Sequence, residues 1–241
     1  MTADTVDIAE NIQHIRASIA VAAEKCARNA NDIHLLAVSK TKPVSDILLA
    51  YKTGHRDFGE NYVQESVEKI QALAQYSDIV WHFIGPLQSN KSKFVAEYFD
   101  WMHSVDRFKI AKRLSDQRGP YQAPLNICIQ VNIDKEPNKA GVMPDELIEL
   151  ATQISSLPRI RLRGIMAIPK ATNKLDEQRA SFAHMQALFK QCQQQFSDFD
   201  TLSMGMSNDM NVAIEHGSTM VRVGTAIFGA RTASVQNKVP Q

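Results

Sequence analysis

Lys40 closes the apolar run Ile33-His34-Leu35-Leu36-Ala37-Val38-Ser39 and is followed by Thr41-Lys42-Pro43. A strand exit is a costly place for an amine, because desolvation disfavours the ammonium. The neutral amine that results is the form that attacks a carbonyl to make a Schiff base. Near the other end of the sequence, Val221-Arg222-Val223-Gly224-Thr225 reads as a short strand ending in a glycine turn. An amine for the aldehyde and backbone N–H groups for the anion are what a phosphorylated aldehyde requires. In strand period Leu36, Val38 and Lys40 share one face, and its apolar members direct that face inward. The competing reading is a lysine that snorkels from the strand end to solvent. Lys42 has the same parity but stands before Pro43, where the strand is ending.

Arg222 shares a strand face with Met220 and Gly224. In a parallel sheet covered on both faces it has no route to solvent. It is therefore either half of a buried ion pair or a permanently charged donor aimed at a ring nitrogen, one of the partners that pyridoxal phosphate takes. In the second case the pyridine nitrogen stays unprotonated, since arginine holds its protons too firmly to share one. The cofactor is then a weaker electron sink than one paired with a carboxylate.

Gly224-Thr225-Ala226 and Met204-Gly205-Met206-Ser207-Asn208-Asp209 are the phosphate candidates. Glycine lets backbone approach an anion, and a helix that begins just beyond it aims N–H groups and a positive dipole there. Ser207 and Thr225 add hydroxyls, although Ser207 or Asn208 is equally suited to cap a helix. Asn61, after Phe58-Gly59-Glu60, either donates to the ring oxygen of a pyridoxal or caps the helix from Tyr62 onward. His82 reads first as a satisfied structural histidine. Met166 and Ile168 read as barrel filling that is also able to pack on a flat ring. There is no paired metal-ligand spacing, GxSxG or Walker loop to anchor a hydrolase or a nucleotide-binding protein.

The elements that must position these groups alternate strictly. Strand-like runs fall at 34–39, 57–59, 80–84, 101–104, 125–132, 162–168, 201–203 and 220–223, with amphipathic stretches such as 44–52, 63–74, 92–98, 106–114, 144–155 and 175–194 between them. A helix spans Val6 to Ala27, where Ile8, Ile12, Ile15, Ile19, Ala22 and Cys26 recur at helical spacing. Alternation implies parallel strands with helical crossovers. Eight of them point to a single α/β domain over residues 1–241, a (β/α)8 TIM barrel with an extra N-terminal helix and a core of about residues 33–231. In such barrels the site lies at the carboxyl ends of the strands, with phosphate often held after strands 7 and 8. Lys40 follows strand 1, Ser207 strand 7 and Gly224-Thr225 strand 8, and closure makes the first and last strands neighbours.

The formal net charge of +1, from 27 basic and 26 acidic residues, gives no electrostatic case for nucleic acid or an anionic membrane. No apolar run approaches the roughly 18 residues of a membrane span. The polar start Met1-Thr2-Ala3-Asp4 lacks the features of a signal peptide. The expectation is a cytoplasmic protein whose Cys26, Cys128 and Cys192 are buried thiols and hold no metal.

The residues quoted so far sit inside longer blocks. These are Ala37-Val38-Ser39-Lys40-Thr41-Lys42-Pro43, Phe58-Gly59-Glu60-Asn61-Tyr62-Val63-Gln64-Glu65 and His82-Phe83-Ile84-Gly85-Pro86-Leu87-Gln88-Ser89-Asn90-Lys91, then Lys139-Ala140-Gly141 and Gly164-Ile165-Met166-Ala167-Ile168. Ser203-Met204-Gly205-Met206-Ser207-Asn208-Asp209-Met210 and Val221-Arg222-Val223-Gly224-Thr225-Ala226-Ile227-Phe228-Gly229 complete the set. In these blocks the chain resembles the pyridoxal phosphate homeostasis protein family. The resemblance implies a barrel of the alanine racemase N-terminal type, with pyridoxal 5'-phosphate held as a Schiff base on Lys40. It implies phosphate contacts from Ser207, Gly224 and Thr225, Arg222 at the ring nitrogen, and Asn61 lining the cofactor; Met166 joins the set as a residue able to pack on the ring. A monomer is expected.

Alanine racemase needs a second, β-rich domain whose tyrosine supplies the opposite-face acid or base, and only residues 230–241 follow Gly229. The racemase's ring-flanking histidine falls at Ile168 here. The expectation is a non-catalytic carrier and regulator in vitamin B6 homeostasis, serving pyridoxal-phosphate-dependent apo-enzymes, with Lys139 a candidate for amine exchange. The alternatives are an amino-acid racemase or decarboxylase on one barrel, and a cofactor-free Schiff-base aldolase.

Overall fold

Short apolar runs such as His34-Leu35-Leu36-Ala37-Val38 suit strands covered on both faces, and each becomes one stave of a barrel. The computed structural model describes residues 6–230. Eight parallel strands close in sequence order: β1 (His34–Val38), β2 (Asp57–Glu60), β3 (Val80–Phe83), β4 (Trp101–Val105), β5 (Leu125–Gln130), β6 (Ile160–Met166), β7 (Thr201–Ser203) and β8 (Met220–Val223). Pairing of His34 with Met220 and of Leu36 with Arg222 seals β1 to β8. The outer shell holds α2 (Val44–Lys52), α3 (Val63–Ala72), α4 (Ser92–Tyr98), α5 (Phe108–Gln117), α6 (Leu147–Ser155), α7 (Leu175–Gln193), α8 (Met210–Glu215) and α9 (Thr225–Phe228). The N-terminal helix is α1 (Ile8–Lys25), capped by the Asp7 carboxylate on the Glu10 N–H; its buried isoleucine stripe packs against α2, α8 and α9. The outer ends of the 1–241 span, residues 1–5 and 231–241, lie outside the described residues.

Outward-facing Leu35, Ala37, Phe58 and Phe83 join the helices in one apolar layer. The inward set is mixed: Leu36, Cys128, Met166 and Met220 share the interior with His82, His103, Ser203 and Arg222, all buried. Of the cysteines, Cys128 and Cys192 are buried, whereas Cys26, expected buried, is half-exposed at the end of α1.

Strand 6 begins and ends two residues before the sequence expectation of 162–168. Arg161 and Arg163 look foreign to a buried strand, yet each finds a carboxylate, Asp198 at 3.2 Å and Asp200 at 2.5 Å respectively. Between Ile127–Leu162 and Cys128–Gly164 the ladder skips Arg163, which is the extra residue of a bulge. At the other end, Ile168 before Pro169 leaves the strand and turns to the barrel mouth.

Gly164 is required by close approach. A Cβ there would lie 1.7 Å from the Thr201 carbonyl oxygen. Gly164→Ala is expected to force β6 from β7 and to lower stability by about 3 kcal/mol. Urea unfolding reads this as a lower midpoint at unchanged slope, and an unchanged midpoint would refute it.

Candidate functional site

A cavity of about 500 Å³ opens at the carboxyl ends of the strands, within the range of small-molecule sites. Lys40, Arg222, Ser207, Gly224, Thr225 and Asn61 all line it, so residues from both ends of the sequence meet there. Met166, the remaining candidate, is 1% exposed inside the barrel and is not part of the wall; Ile168, two residues later and 37% exposed, takes that place.

The backbone on both sides of Lys40 is pinned. Ser39 is fully buried, its hydroxyl donates to Glu60 Oε1 at 2.5 Å, and its carbonyl accepts from Lys69 Nζ at 2.8 Å. Thr41, held at φ +64°, donates its N–H to Glu65 Oε1 at 2.6 Å. Lys69, buried on α3, bridges both carboxylates, donating to Glu60 at 2.9 and 3.1 Å and to Glu65 at 2.5 Å. Burial pushes the Glu60 carboxyl up, while Lys69 and the Ser39 hydroxyl pull against that rise. Sequence reasoning missed Lys69, which on an amphipathic helix has the look of a surface residue; its i,i+4 spacing from Glu65 is the one local signal, and such pairs ordinarily lie on helix surfaces. Lys42 is committed elsewhere, with Nζ donating to the carbonyls of Phe228 and Ala230, both at 2.8 Å.

Among the described residues Arg222 has no ion-pair partner. Its two terminal nitrogens donate to Ser203 Oγ and to the Ala167 carbonyl, each at 2.9 Å. Burial pulls its pKa down to about 10, against the opposing pull of Asp209, so it remains a cation at neutral pH.

The turn after β7 forms another part of the cavity wall. Gly205 lies at φ +95°, where a Cβ would come within 2.5 Å of the Ala213 methyl. Asp209, not Ser207 or Asn208, stands at the N-cap of α8, and its Oδ1 accepts from the Met206 N–H at 2.6 Å. Ser207 and Asn208 are left exposed on the cavity wall. Gly224 opens α9, where first-turn N–H groups lack intrahelical partners. A Cβ at Gly224 would press on Val38 at 3.3 to 3.4 Å, crowding the cavity floor beside Lys40.

Asn61 does not cap α3, whose N-cap is Tyr62. Its Oδ1 is buried against the cavity without a hydrogen-bond partner among the described residues, an exception to the rule that buried polar atoms are satisfied. Lys139 pairs with Glu136 at 2.7 Å and does not line the cavity. His82 is satisfied inside the barrel by Asp57 and His103.

His103 carries a pH consequence. Burial first, and then the neighbouring His82 and the Arg222 guanidinium, hold its imidazole well below the ordinary value. It stays neutral when folded but protonates when unfolded, so stability falls as pH drops below about 6.5, by up to about 1.4 kcal/mol per unit. Denaturant titrations between pH 7 and 5 are expected to show this slope, and His103→Gln to reduce it; an equal slope in the variant would contradict the assignment.

Comparison with known proteins meets this geometry. Residues 10–232 match the family model for the alanine racemase N-terminal domain. The pyridoxal phosphate homeostasis protein of Pasteurella multocida is 55% identical over 230 residues, covering 94% of this chain and 99% of the relative. Its namesake in Escherichia coli is 52% identical over 230 residues, covering 95% and 98%. Among solved structures, PipY of Synechococcus elongatus with PLP bound superposes with a TM-score of 0.80 at 37% identity, covering 92% of this chain and all of that one. The chain belongs to the pyridoxal phosphate homeostasis proteins, a branch of the alanine racemase N-terminal domain family.

Proposed function

We propose that the protein holds pyridoxal 5'-phosphate reversibly, linked as a Schiff base through the Lys40 amine, and serves as a non-catalytic carrier and regulator of the cofactor. The observation that carries this is convergence: one cavity is lined by a lysine, a buried arginine, two glycine turns with hydroxyls, and the unpartnered amide oxygen of Asn61. These residues fit the cofactor. The turns at Ser207 and at Gly224-Thr225 would take the phosphate, Asn61 the ring hydroxyl, and Arg222 the ring nitrogen. Bound pyridoxal phosphate supplies an electron sink to amines at its aldehyde. Arg222, bonded to the neutral acceptors Ser203 Oγ and Ala167 O and a cation at neutral pH, keeps its protons and leaves the ring nitrogen without one, which weakens that sink and disfavours carbanion chemistry. Reversible exchange with incoming amines suits delivery to apo-enzymes. Among the described residues no helix is long and apolar enough to cross a membrane.

The test is the visible spectrum of the purified protein mixed with pyridoxal phosphate, before and after borohydride, followed by peptide mapping. A single reduced adduct on Lys40 is expected; a colourless mixture or an adduct on another lysine would overturn the proposal. Solvent-deuterium exchange at Cα across a panel of amino acids tests the non-catalytic half, which fails if exchange runs at ordinary enzyme rates.

A further inference from the structure

We propose that the barrel interior contains a hydrogen-bond chain of fixed direction that starts at Arg222, ends at Asp57 near the opposite mouth, and thereby ties the orientation of Arg222's acceptor to the chemical state of Asp57. It rests on the reading above only in assigning Arg222 to a cofactor ring.

The links are short and continuous. Arg222 Nη1 meets Ser203 Oγ at 2.9 Å, Ser203 Oγ meets His103 Nδ1 at 3.1 Å, His103 Nε2 meets His82 Nδ1 at 3.0 Å, and His82 Nε2 meets Asp57 Oδ1 at 3.1 Å. His82, His103 and Ser203 are fully buried. Asp57 instead opens on a second cavity of about 370 Å³ at the amino ends of the strands, shared with Asp32, His34, Arg163 and Asp200. The interior charges facing the two rings are Asp57 from β2 and Arg222 from β8. Cys128 on β5 is a buried thiol, and Trp101 of β4 stacks on His82 at 13°.

Direction follows from counting protons. A guanidinium only donates and an ionised carboxylate only accepts, so both ends are fixed. Asp57 requires a proton on His82 Nε2. With neutral rings His82 Nδ1 must then accept, which places the His103 proton on Nε2, and His103 Nδ1 in turn accepts from the Ser203 hydroxyl. Four protons fill the four links, from Arg222 Nη1, Ser203 Oγ, His103 Nε2 and His82 Nε2, and every group is satisfied. The opposite direction would set His82 Nε2 as an acceptor against an acceptor and would leave the Ser203 hydroxyl proton without its partner. A chain aligned this way also strengthens each link through its neighbours.

Substitution at Asp57 separates the chain from ordinary packing. Asp57→Asn still offers an oxygen to the His82 N–H, whereas Asp57→Ala leaves water, which donates or accepts. The experiment uses nitrogen-15-labelled protein without added cofactor. Long-range proton–nitrogen spectra of the wild type at pH 7 are expected to show His82 and His103 both neutral with N–H on Nε2. Asp57→Ala should abolish the single tautomer at both rings and shift the Arg222 guanidinium resonances, identified by their loss in Arg222→Lys. Asp57→Asn should restore the wild-type pattern. A cationic ring, an Nδ1–H tautomer in the wild type, or Arg222 resonances indifferent to Asp57→Ala would each overturn the proposal. Failure to bind pyridoxal phosphate in a separate absorbance titration would sink the proposed function and leave these spectra to stand or fall alone.

Discussion

Lys40→Ala is expected to abolish the visible band of the bound cofactor and its fixation by borohydride, while pyridoxal phosphate still binds more weakly. The residues that would hold the phosphate and ring lie on other strands: Ser207 follows β7, Gly224 and Thr225 follow β8, and Arg222 is anchored by Ser203 and Ala167. Removing the amine leaves those anchors in place. The loss of affinity should be about a hundredfold, equivalent to roughly 3 kcal/mol. Equilibrium dialysis measures the residual binding, and absorbance after borohydride measures the covalent part. Complete loss of binding would show that the glycine turns contribute little by themselves. Lys42→Ala is the control: its amine is bonded to the carbonyls of Phe228 and Ala230 at the end of α9 and just past it, so the adduct should survive.

Lys69→Met should be the most damaging single change to the fold near the site. It leaves Glu60, fully buried, and Glu65 without the cation that bridges them. Breaking a buried pair from one side costs about 3–5 kcal/mol, because the remaining charge keeps its desolvation penalty. The sign of the pH response follows from Glu60. Burial already raises its carboxyl above the ordinary value, and without Lys69 that rise grows. A carboxylate raised in the folded state favours folding at low pH, and this contribution disappears as pH climbs through the folded value. The variant's deficit relative to the wild type should therefore shrink between pH 8 and pH 5, and a second change, Glu60→Gln, should recover part of it at neutral pH. Urea midpoints across that range decide the matter; a variant as stable as the wild type at pH 8 would show that the bridge is dispensable.

The barrel was legible because its evidence is local. Runs of three to eight residues alternate with helical periods, and β7 and β8 matched their expected ends. Lys40, Arg222 and the glycine turns were legible for a related reason: each stands at a strand end, where parity fixes the inward face. Met166 and Ile168 share that parity, so parity alone did not decide between them. What decided was the placement of β6: it stops before Ile168-Pro169, and it starts two residues early, taking in arginines whose partners lie some 37 positions away. The Lys69 bridge and the interior histidines were hidden for the same reason. His82, His103 and Ser203 are unremarkable within their own strands and become a connected set only when the barrel closes.

The N-terminal helix carries a consequence of its own. α1 buries its isoleucines, yet it also reaches the mouth of the barrel: the Asn11 side-chain amide donates to the Ile227 carbonyl at 2.9 Å, within the short helix that follows Gly224. Farther along, the Arg28 guanidinium donates to the Ile214 carbonyl at 2.8 Å in α8, directly after the other glycine turn. The helix and the turn just beyond it therefore brace, from behind, both pieces of backbone proposed to grip the phosphate, and slackening that brace, for example with Asn11→Ala, should speed release of the vitamin without disturbing any residue that touches it.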